Sequence, residues 1–175
     1  LSFFFFVIIG DYNYVFDPRV YLRRFLQDVR ERYVFLVDEA HNLVDRSREM
    51  YSQVLTKDMV KNAKKSADDF MELKNSLQRI NRIFLNKRKE LEELEGKRSY
   101  FGVPEDLVHA LQSFLVAFEI FQKAHQEDFE GKDKILDFFF ATNHFLNITD
   151  MYDEGYITYE EVLGENVRIK LFAIH

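Results

Sequence analysis

Two apolar runs near the start of the sequence, residues 1–9 and 33–37, have the pattern of β-strands. Both are almost continuously apolar and rich in aromatic and β-branched residues, as in strands that are covered on both faces. Residues 18–32 between them predict a short helix, because Pro18 suits the first helical position. Strand, helix and strand in this order predict part of a parallel α/β sheet. Because the first strand opens the sequence, we expect the chain to be a fragment of a longer protein.

Residues 57–96 predict one long helix. Eight positions between Phe70 and Leu94 follow a three-four spacing, and seven of them are apolar, the exception being Lys87. No glycine or proline interrupts the pattern before Gly96. A straight helix of about 40 residues is about 60 Å long. We therefore expect this helix to project from the sheet and to pair with a returning helix.

The returning segment predicts two more helices and a final strand. The first helix begins at Pro104, followed by acidic residues where the helix dipole favours them. Gly131 interrupts the apolar pattern, and residues 132–150 resume it. Residues 167–171 alternate between apolar and polar side chains, which predicts a half-buried strand. The predicted fold class is mostly α with a small β part.

Composition and charge narrow the class of protein. With 47% hydrophobic residues and 19 phenylalanines, the chain can bury a large core and is not disordered. The absence of cysteine excludes a disulfide scaffold and any cysteine-held metal in this segment. It fits a reducing compartment, and no run approaches the roughly 20 apolar residues of a membrane helix, so we expect a cytoplasmic protein. The net charge is −6, but residues 57–98 carry 12 basic and 8 acidic groups, so a polyanionic partner is not excluded.

The main chemical signal is the sequence Asp38, Glu39, Ala40 and His41, directly after the predicted strand 33–37. Ligands of α/β sheets bind at the carboxyl ends of the strands. Nucleotide hydrolysis needs a carboxylate near Mg²⁺ and a group that orients the attacking water, and an adjacent Asp and Glu can divide these two roles. The alternative is an ordinary solvated strand end.

Together, residues 10–18 and 34–43 resemble the XPD/DinG family of superfamily-two DNA helicases, and residues 167–172 resemble the point where that family's chain re-enters its first motor domain. The resemblance implies that residues 1–44 are part of a RecA-like motor domain with the DEAH strand end. It implies that residues 45–160 form a helical insertion called the arch, and that residues 161–175 return to the motor domain. The fold would then be a long helical insertion flanked by strands of an incomplete α/β domain.

The resemblance also implies roles for individual residues. Asp38 would bind Mg²⁺ of the bound ATP, Glu39 would position or activate the hydrolytic water, and His41 would couple hydrolysis to DNA movement. The full-length protein would be an ATP-dependent DNA helicase that unwinds in the 5′-to-3′ direction and acts in DNA repair. Its partner would be single-stranded or forked DNA, which the arch helps to enclose.

Three parts of such a helicase are missing from the sequence. It contains no G-x-x-x-x-G-K-[ST] loop to hold the triphosphate, and no second motor domain with its arginine finger. In the family, the cysteines that hold an iron–sulfur cluster precede the position of residue 1, so the resemblance leaves a cluster open upstream. We therefore expect that these 175 residues alone do not hydrolyse ATP.

Two groups of residues are weaker candidates for DNA contacts. The segment with Tyr12, Asn13 and Tyr14 lies near the single-strand path in such helicases, and aromatic rings can stack on bases, although such rings more often belong to the core. The basic stretch of Lys87, Arg88 and Lys89, with Arg79 and Arg82, could contact phosphates. The alternative is that these cations pair with nearby glutamates on the helix surface.

Two other classes of function remain open. The long helices could form a non-catalytic module that binds other proteins, with an acidic strand end that has no function. Residues 150–161 match an EF-hand calcium loop at Asp150, Gly155, Ile157 and Glu161. Tyr152, however, stands where the third position requires an oxygen ligand, so we do not expect calcium to bind.

Overall fold

A computed structural model describes Val7, residues 9–17 and residues 34–174. The chain divides into two compact units, Leu1–Tyr51 and Ser52–His175. In the first unit, the described elements are helix α1 (Asn13–Phe16), a 3-10 turn (Ala40–Asn42) and helix α2 (Leu43–Met50). The Tyr51 hydroxyl donates a hydrogen bond to the Phe16 carbonyl at 3.0 Å, which ties the end of α2 to α1.

The second unit combines four helices with a four-stranded sheet. Its elements in chain order are β1 (Gln53–Thr56), α3 (Lys57–Ser66), α4 (Met71–Glu92), β2 (Lys97–Tyr100), α5 (Glu105–Ala124), α6 (Lys132–Asp150), β3 (Tyr156–Leu163) and β4 (Asn166–Ala173). The predicted fold class, mostly helical with a small β part, is confirmed.

The sheet has the strand order β1-β4-β3-β2, and all its pairs are antiparallel. The central hairpin pairs Tyr156 with Ala173 and Leu163 with Asn166 at its two ends. Alternate residues of β3 and β4 are buried, because one face of the sheet packs against the helices. The predicted strand at 167–171 is confirmed as β4. Because β1 is the first element of the second unit and β4 the last, their pairing joins the two ends of that unit.

The single helix predicted over residues 57–96 is wrong, because the structure has two helices. The Ala67 amide donates to the carbonyls of Ala63 and Lys64 and ends α3. Asp68 and Asp69 follow, and aspartate is a weak helix former. Phe70 is extended, with its ring 5.0 Å from that of Phe121. Packing of the Phe70 ring against Phe121 therefore stabilises the break more than continued helical hydrogen bonding would stabilise one long helix.

Six of the eight positions predicted for the seam are buried in α4, and the pairing of α4 with a returning helix is confirmed. The other two lie outside the helix: Phe70 is half-buried and Leu94 is 48% exposed. Leu73, Leu77, Ile80, Phe84, Lys87 and Leu91 are all buried, and α4 packs against α5. α5 and α6 then join through paired rings: Phe118 stacks on Phe139 at 4.0 Å, and Phe114 lies 5.0 Å from Phe138.

The expected parallel sheet is not seen in the described part of the chain. Residues 34–37, predicted as its second strand, have no regular secondary structure, and Val34 and Leu36 are 85% and 96% exposed. A short apolar run becomes a strand through hydrogen-bonded neighbours, and no described strand pairs with this one. The predicted helix at 18–32 and most of the predicted strand at 1–9 lie outside the described residues. The three-part division at residues 44 and 160 stays a prediction.

Among the helices that the structure describes, none is both long and apolar enough to cross a lipid bilayer.

Candidate functional site

The segment from Asp38 to His41 forms a tight turn that leads into helix α2. Glu39 adopts the left-handed backbone conformation, with φ of 52°, which is uncommon for a residue other than glycine. One carboxylate oxygen of Asp38 accepts the Glu39 amide at 2.9 Å. The Asn42 amide donates to the Glu39 carbonyl at 3.0 Å. These two hydrogen bonds hold the acidic pair in a defined turn ahead of α2.

The three side chains of this turn, Asp38, Glu39 and His41, all lie at the surface. His41 Nδ1 lies 3.3 Å from an Oε atom of Glu39, and both side chains are about two-thirds or more exposed. The imidazole therefore restrains the Glu39 carboxylate from one side. Water and a polar ligand can reach both acids, because neither is enclosed.

The donor set of this turn fits a partly hydrated Mg²⁺ ion. Protein Mg²⁺ sites use one or two carboxylates and leave the other positions to waters and phosphates. Within the described residues, no group of three or more His, Cys, Asp or Glu side chains could enclose a metal ion. Asp38 offers one such exposed carboxylate, and its binding of Mg²⁺ stays a prediction.

Tyr12, Asn13 and Tyr14 lie at the start of α1, in the same compact unit as Asp38. The Asn13 amide donates to the Asp11 carboxylate at 2.9 Å, which fixes the first turn of the helix. The Tyr14 side chain is 48% exposed, so its ring is accessible to a ligand. Their contact with DNA stays a prediction.

Lys87 and Arg88 belong to the second unit and are both engaged within it. Lys87 is 6% exposed, and its Nζ atom lies 2.9 Å from Oε1 of Glu160. Arg88 donates to Glu92 at 2.7 Å and to the Glu165 carbonyl at 3.4 Å. These partners give Lys87 a structural role, and a phosphate contact by either residue stays a prediction.

The sequence analysis did not identify Glu160 as the centre of a buried polar cluster. Its carboxylate also accepts hydrogen bonds from Arg98 at 2.5 Å and from the Tyr100 hydroxyl at 2.9 Å. Burial alone would raise the pKa of Glu160, but the hydrogen bond and charge of Lys87, with the hydrogen bonds from Arg98 and Tyr100, outweigh it and lower that pKa. Burial, and next the Glu160 charge, raise the pKa of Tyr100. Glu160 therefore stays ionised in the interior.

A signal for this cluster was present in the sequence. Lys87 is the one charged position in the apolar seam of α4. Glu160 lies on the buried face of β3, because it alternates with Tyr156 and Thr158. Two opposite charges at inward-facing positions of a helix and a strand indicate that they pair with each other, because an unpaired buried charge is costly.

The EF-hand-like loop forms a turn into β3. Asp150 ends α6, the Gly155 amide donates to Asp153 at 2.8 Å, and the strand begins at Tyr156. Glu161, which would be the twelfth position of a calcium loop, lies in β3 and forms an ion pair with Arg168. A strand therefore stands where an EF-hand has its exiting helix.

A comparison with known protein families gives a match, and it covers the Asp38 turn. Residues 5–60 match the family model DEAD_2. This segment includes Asp38, Glu39 and His41, and the match indicates a DEAD/DEAH-type helicase-related domain. Helicases of this type bind and use nucleotides, as the sequence analysis expected. No curated protein matches the chain.

Proposed function

We propose that this chain is the part of an ATP-dependent DNA helicase that carries the DEAH motif and a helical insertion. The observation that carries the proposal is the turn at residues 38–41. It presents two adjacent, accessible carboxylates and a histidine within the segment that matches a helicase-related family.

Each residue of the turn has a proposed role. Bound ATP would supply the phosphoryl group, and bound Mg²⁺ would neutralise the negative charge on the phosphate oxygens. Asp38, steadied by the Glu39 amide, holds the metal. Glu39 orients the attacking water and accepts its proton, and His41 keeps the Glu39 carboxylate in place through their 3.3 Å contact. In the proposed helicase, His41 passes the state of this site on to the DNA-binding parts.

The helical second unit supports the proposal by its place in the chain. Helices α4 to α6 lie between the segment that matches the helicase-related family and the final strand β4, and α3 begins at the end of that segment. We propose that these helices are the arch that helps to enclose single-stranded DNA during 5′-to-3′ unwinding. Hydrolysis also needs a phosphate-binding loop and a second motor domain, so the activity belongs to a protein that contains those parts.

Strand displacement by the full-length protein tests this function. Partial duplexes that carry either a single-stranded 5′ tail or a single-stranded 3′ tail are mixed with the protein, Mg²⁺ and ATP. The amount of released strand is then measured. We expect release from the 5′-tailed substrate, and at least a tenfold loss in Asp38→Asn. Asp45→Asn, an exposed acid in the neighbouring helix α2, is the control and should unwind normally. Displacement that needs no ATP, or that survives Asp38→Asn, would contradict the proposal, and release only from the 3′ tail would contradict the direction.

A further inference from the structure

Helix α4 contains a long stretch without acidic residues. Residues 73–89 carry six Lys or Arg side chains and no Asp or Glu, although the chain as a whole has 30 acids against 24 bases. A solvated helix surface usually mixes both signs, because pairs four residues apart stabilise it. The excess of positive charge is therefore local to α4.

The structure divides these six cations into two groups of three. Lys74 pairs with Asp68 at 3.0 Å, Lys87 with Glu160 at 2.9 Å and Arg88 with Glu92 at 2.7 Å. Arg79, Arg82 and Lys89 are exposed and form no ion pair with any described residue. The second group therefore carries uncompensated charge.

The three unpaired cations lie along one face of α4, together with the exposed amides of Asn75 and Asn86. Positions 75, 79, 82, 86 and 89 follow the spacing of one helix face, opposite the buried seam of Leu77, Ile80 and Phe84. We call these five residues the α4 basic face. Arg79 and Lys89 are about 15 Å apart along the helix axis.

Two acids near the ends of this face, Glu72 and Glu90, are occupied elsewhere, whereas Glu93, one turn beyond Lys89, is exposed and forms no ion pair with a described residue. Glu72 lies 3.6 Å from His125, and Glu90 lies 3.5 Å from Arg98. These acids therefore do not neutralise Arg79, Arg82 or Lys89, and the α4 basic face is left to an external anion.

We propose that the α4 basic face binds the phosphate backbone of single-stranded DNA, and this inference rests on the proposed function. A row of cations with interleaved amides matches a polyanion with regularly spaced charges, because phosphate contacts come from Lys, Arg and Asn side chains alike. The DNA contact thus lies on Arg79, Arg82 and Lys89, and not on Lys87 and Arg88, whose charges the protein already uses.

Binding of a fluorescent oligothymidylate to the full-length protein, followed by anisotropy over a range of salt concentrations, tests the inference. The test variant replaces Arg79, Arg82 and Lys89 with glutamine. The matched control replaces Lys61, Lys65 and Lys123 with glutamine, since these are also exposed and unpaired among the described residues. Both variants lose three positive charges, and helical circular dichroism confirms that each is folded.

We expect the test variant to bind about tenfold or more weakly at 0.1 M salt, and the control to bind as the wild type does. The plot of log K against log salt should become shallower by about 2 in the test variant, because each lost phosphate contact removes about 0.7 from the slope. Equal losses in both variants, no loss in either, or a loss confined to RNA of the same sequence would overturn the inference. If the wild type binds DNA and unwinds it while the test variant binds normally, only the inference fails. If the wild type neither binds nor unwinds DNA, the proposed function fails with it.

Discussion

The ammonium nitrogen of Lys87 lies 2.9 Å from a carboxylate oxygen of Glu160, although 73 residues separate them in the chain. Lys87 stands in the buried seam of α4, and Glu160 in the buried face of β3. Arg98 and Tyr100 from β2 donate to the same carboxylate. This one acid therefore fixes the position of a helix and an edge strand against the centre of the sheet.

Replacing Glu160 with glutamine should destabilise the chain by about 3 kcal/mol. It removes the nearest counter-charge of the buried Lys87 ammonium and leaves it only the exposed Asp106 carboxylate, 3.9 Å away. Urea unfolding measures the loss. Glu92→Gln is the control: it breaks the more exposed pair with Arg88, which should cost less than about 1 kcal/mol. Equal losses in the two variants would contradict the central role of Glu160.

The same carboxylate predicts how stability depends on pH. The pKa of Glu160 is lower in the folded chain than its ordinary value of 4.5, so its contribution is complete above about pH 4.5 and is lost as pH falls through the folded pKa. The difference in unfolding free energy between wild type and Glu160→Gln should therefore narrow from pH 6 to pH 3. A difference that widens in acid would show that Glu160 is protonated in the folded chain.

The aromatic core between α5 and α6 predicts a large and a small loss of stability at two nearby positions. Phe138 is 1% exposed and lies 5.0 Å from the ring of Phe114, whereas Phe140 is 63% exposed. Phe138→Ala should cost about 3 to 5 kcal/mol, because it leaves a cavity, and Phe140→Ala should cost less than about 1 kcal/mol. Thermal or urea unfolding of the two variants measures this difference. Similar costs would mean that α6 presents another face to the core.

Gly131, ahead of α6, predicts a second stability difference. Its φ is +87°, and an added Cβ would lie 2.5 Å from Oγ of Ser66 and 2.9 Å from its Cβ. Gly131→Ala should therefore cost both backbone strain and overpacking. Gly164 also has a positive φ, of +61°, but an added Cβ there meets nothing within 4 Å. Gly164→Ala should cost about 1 to 2 kcal/mol, and Gly131→Ala about 1 to 3 kcal/mol more. Unfolding measurements that rank the two variants in the opposite order would contradict the contact with Ser66.

Local pattern was enough to predict much of the second unit. The spacing of apolar residues within one element was sufficient in four cases. These are the seam of α4, the helices at Glu105–Ala124 and Lys132–Asp150, and the strand β4. The break between α3 and α4 does not follow from such spacing, because it depends on rings that are distant in the chain, such as Phe121 against Phe70.

Long-range relationships account for the other differences. The run at residues 34–37 has the composition of a strand, but strand formation depends on neighbours that its own sequence does not specify. The helical spacing alone places Lys87 in the seam of α4. Its partner Glu160 can be found only if the two-residue alternation of β3 is considered together with that spacing. The motif of Asp38 and Glu39 is contiguous, so the sequence alone was enough to name it as a candidate site, and its chemistry stays a prediction.

The most direct test of the account is the rate of DNA-stimulated ATP hydrolysis by the full-length protein and its Glu39→Gln variant. Glu49→Gln, an exposed glutamate in helix α2, is the control for loss of one surface charge. If Glu39 orients and deprotonates the attacking water, Glu39→Gln should lower the rate about 100-fold or more while ATP binding and the Glu49→Gln rate are preserved. Hydrolysis by Glu39→Gln at the rate of the wild type would contradict the assignment of this turn as the site of hydrolysis.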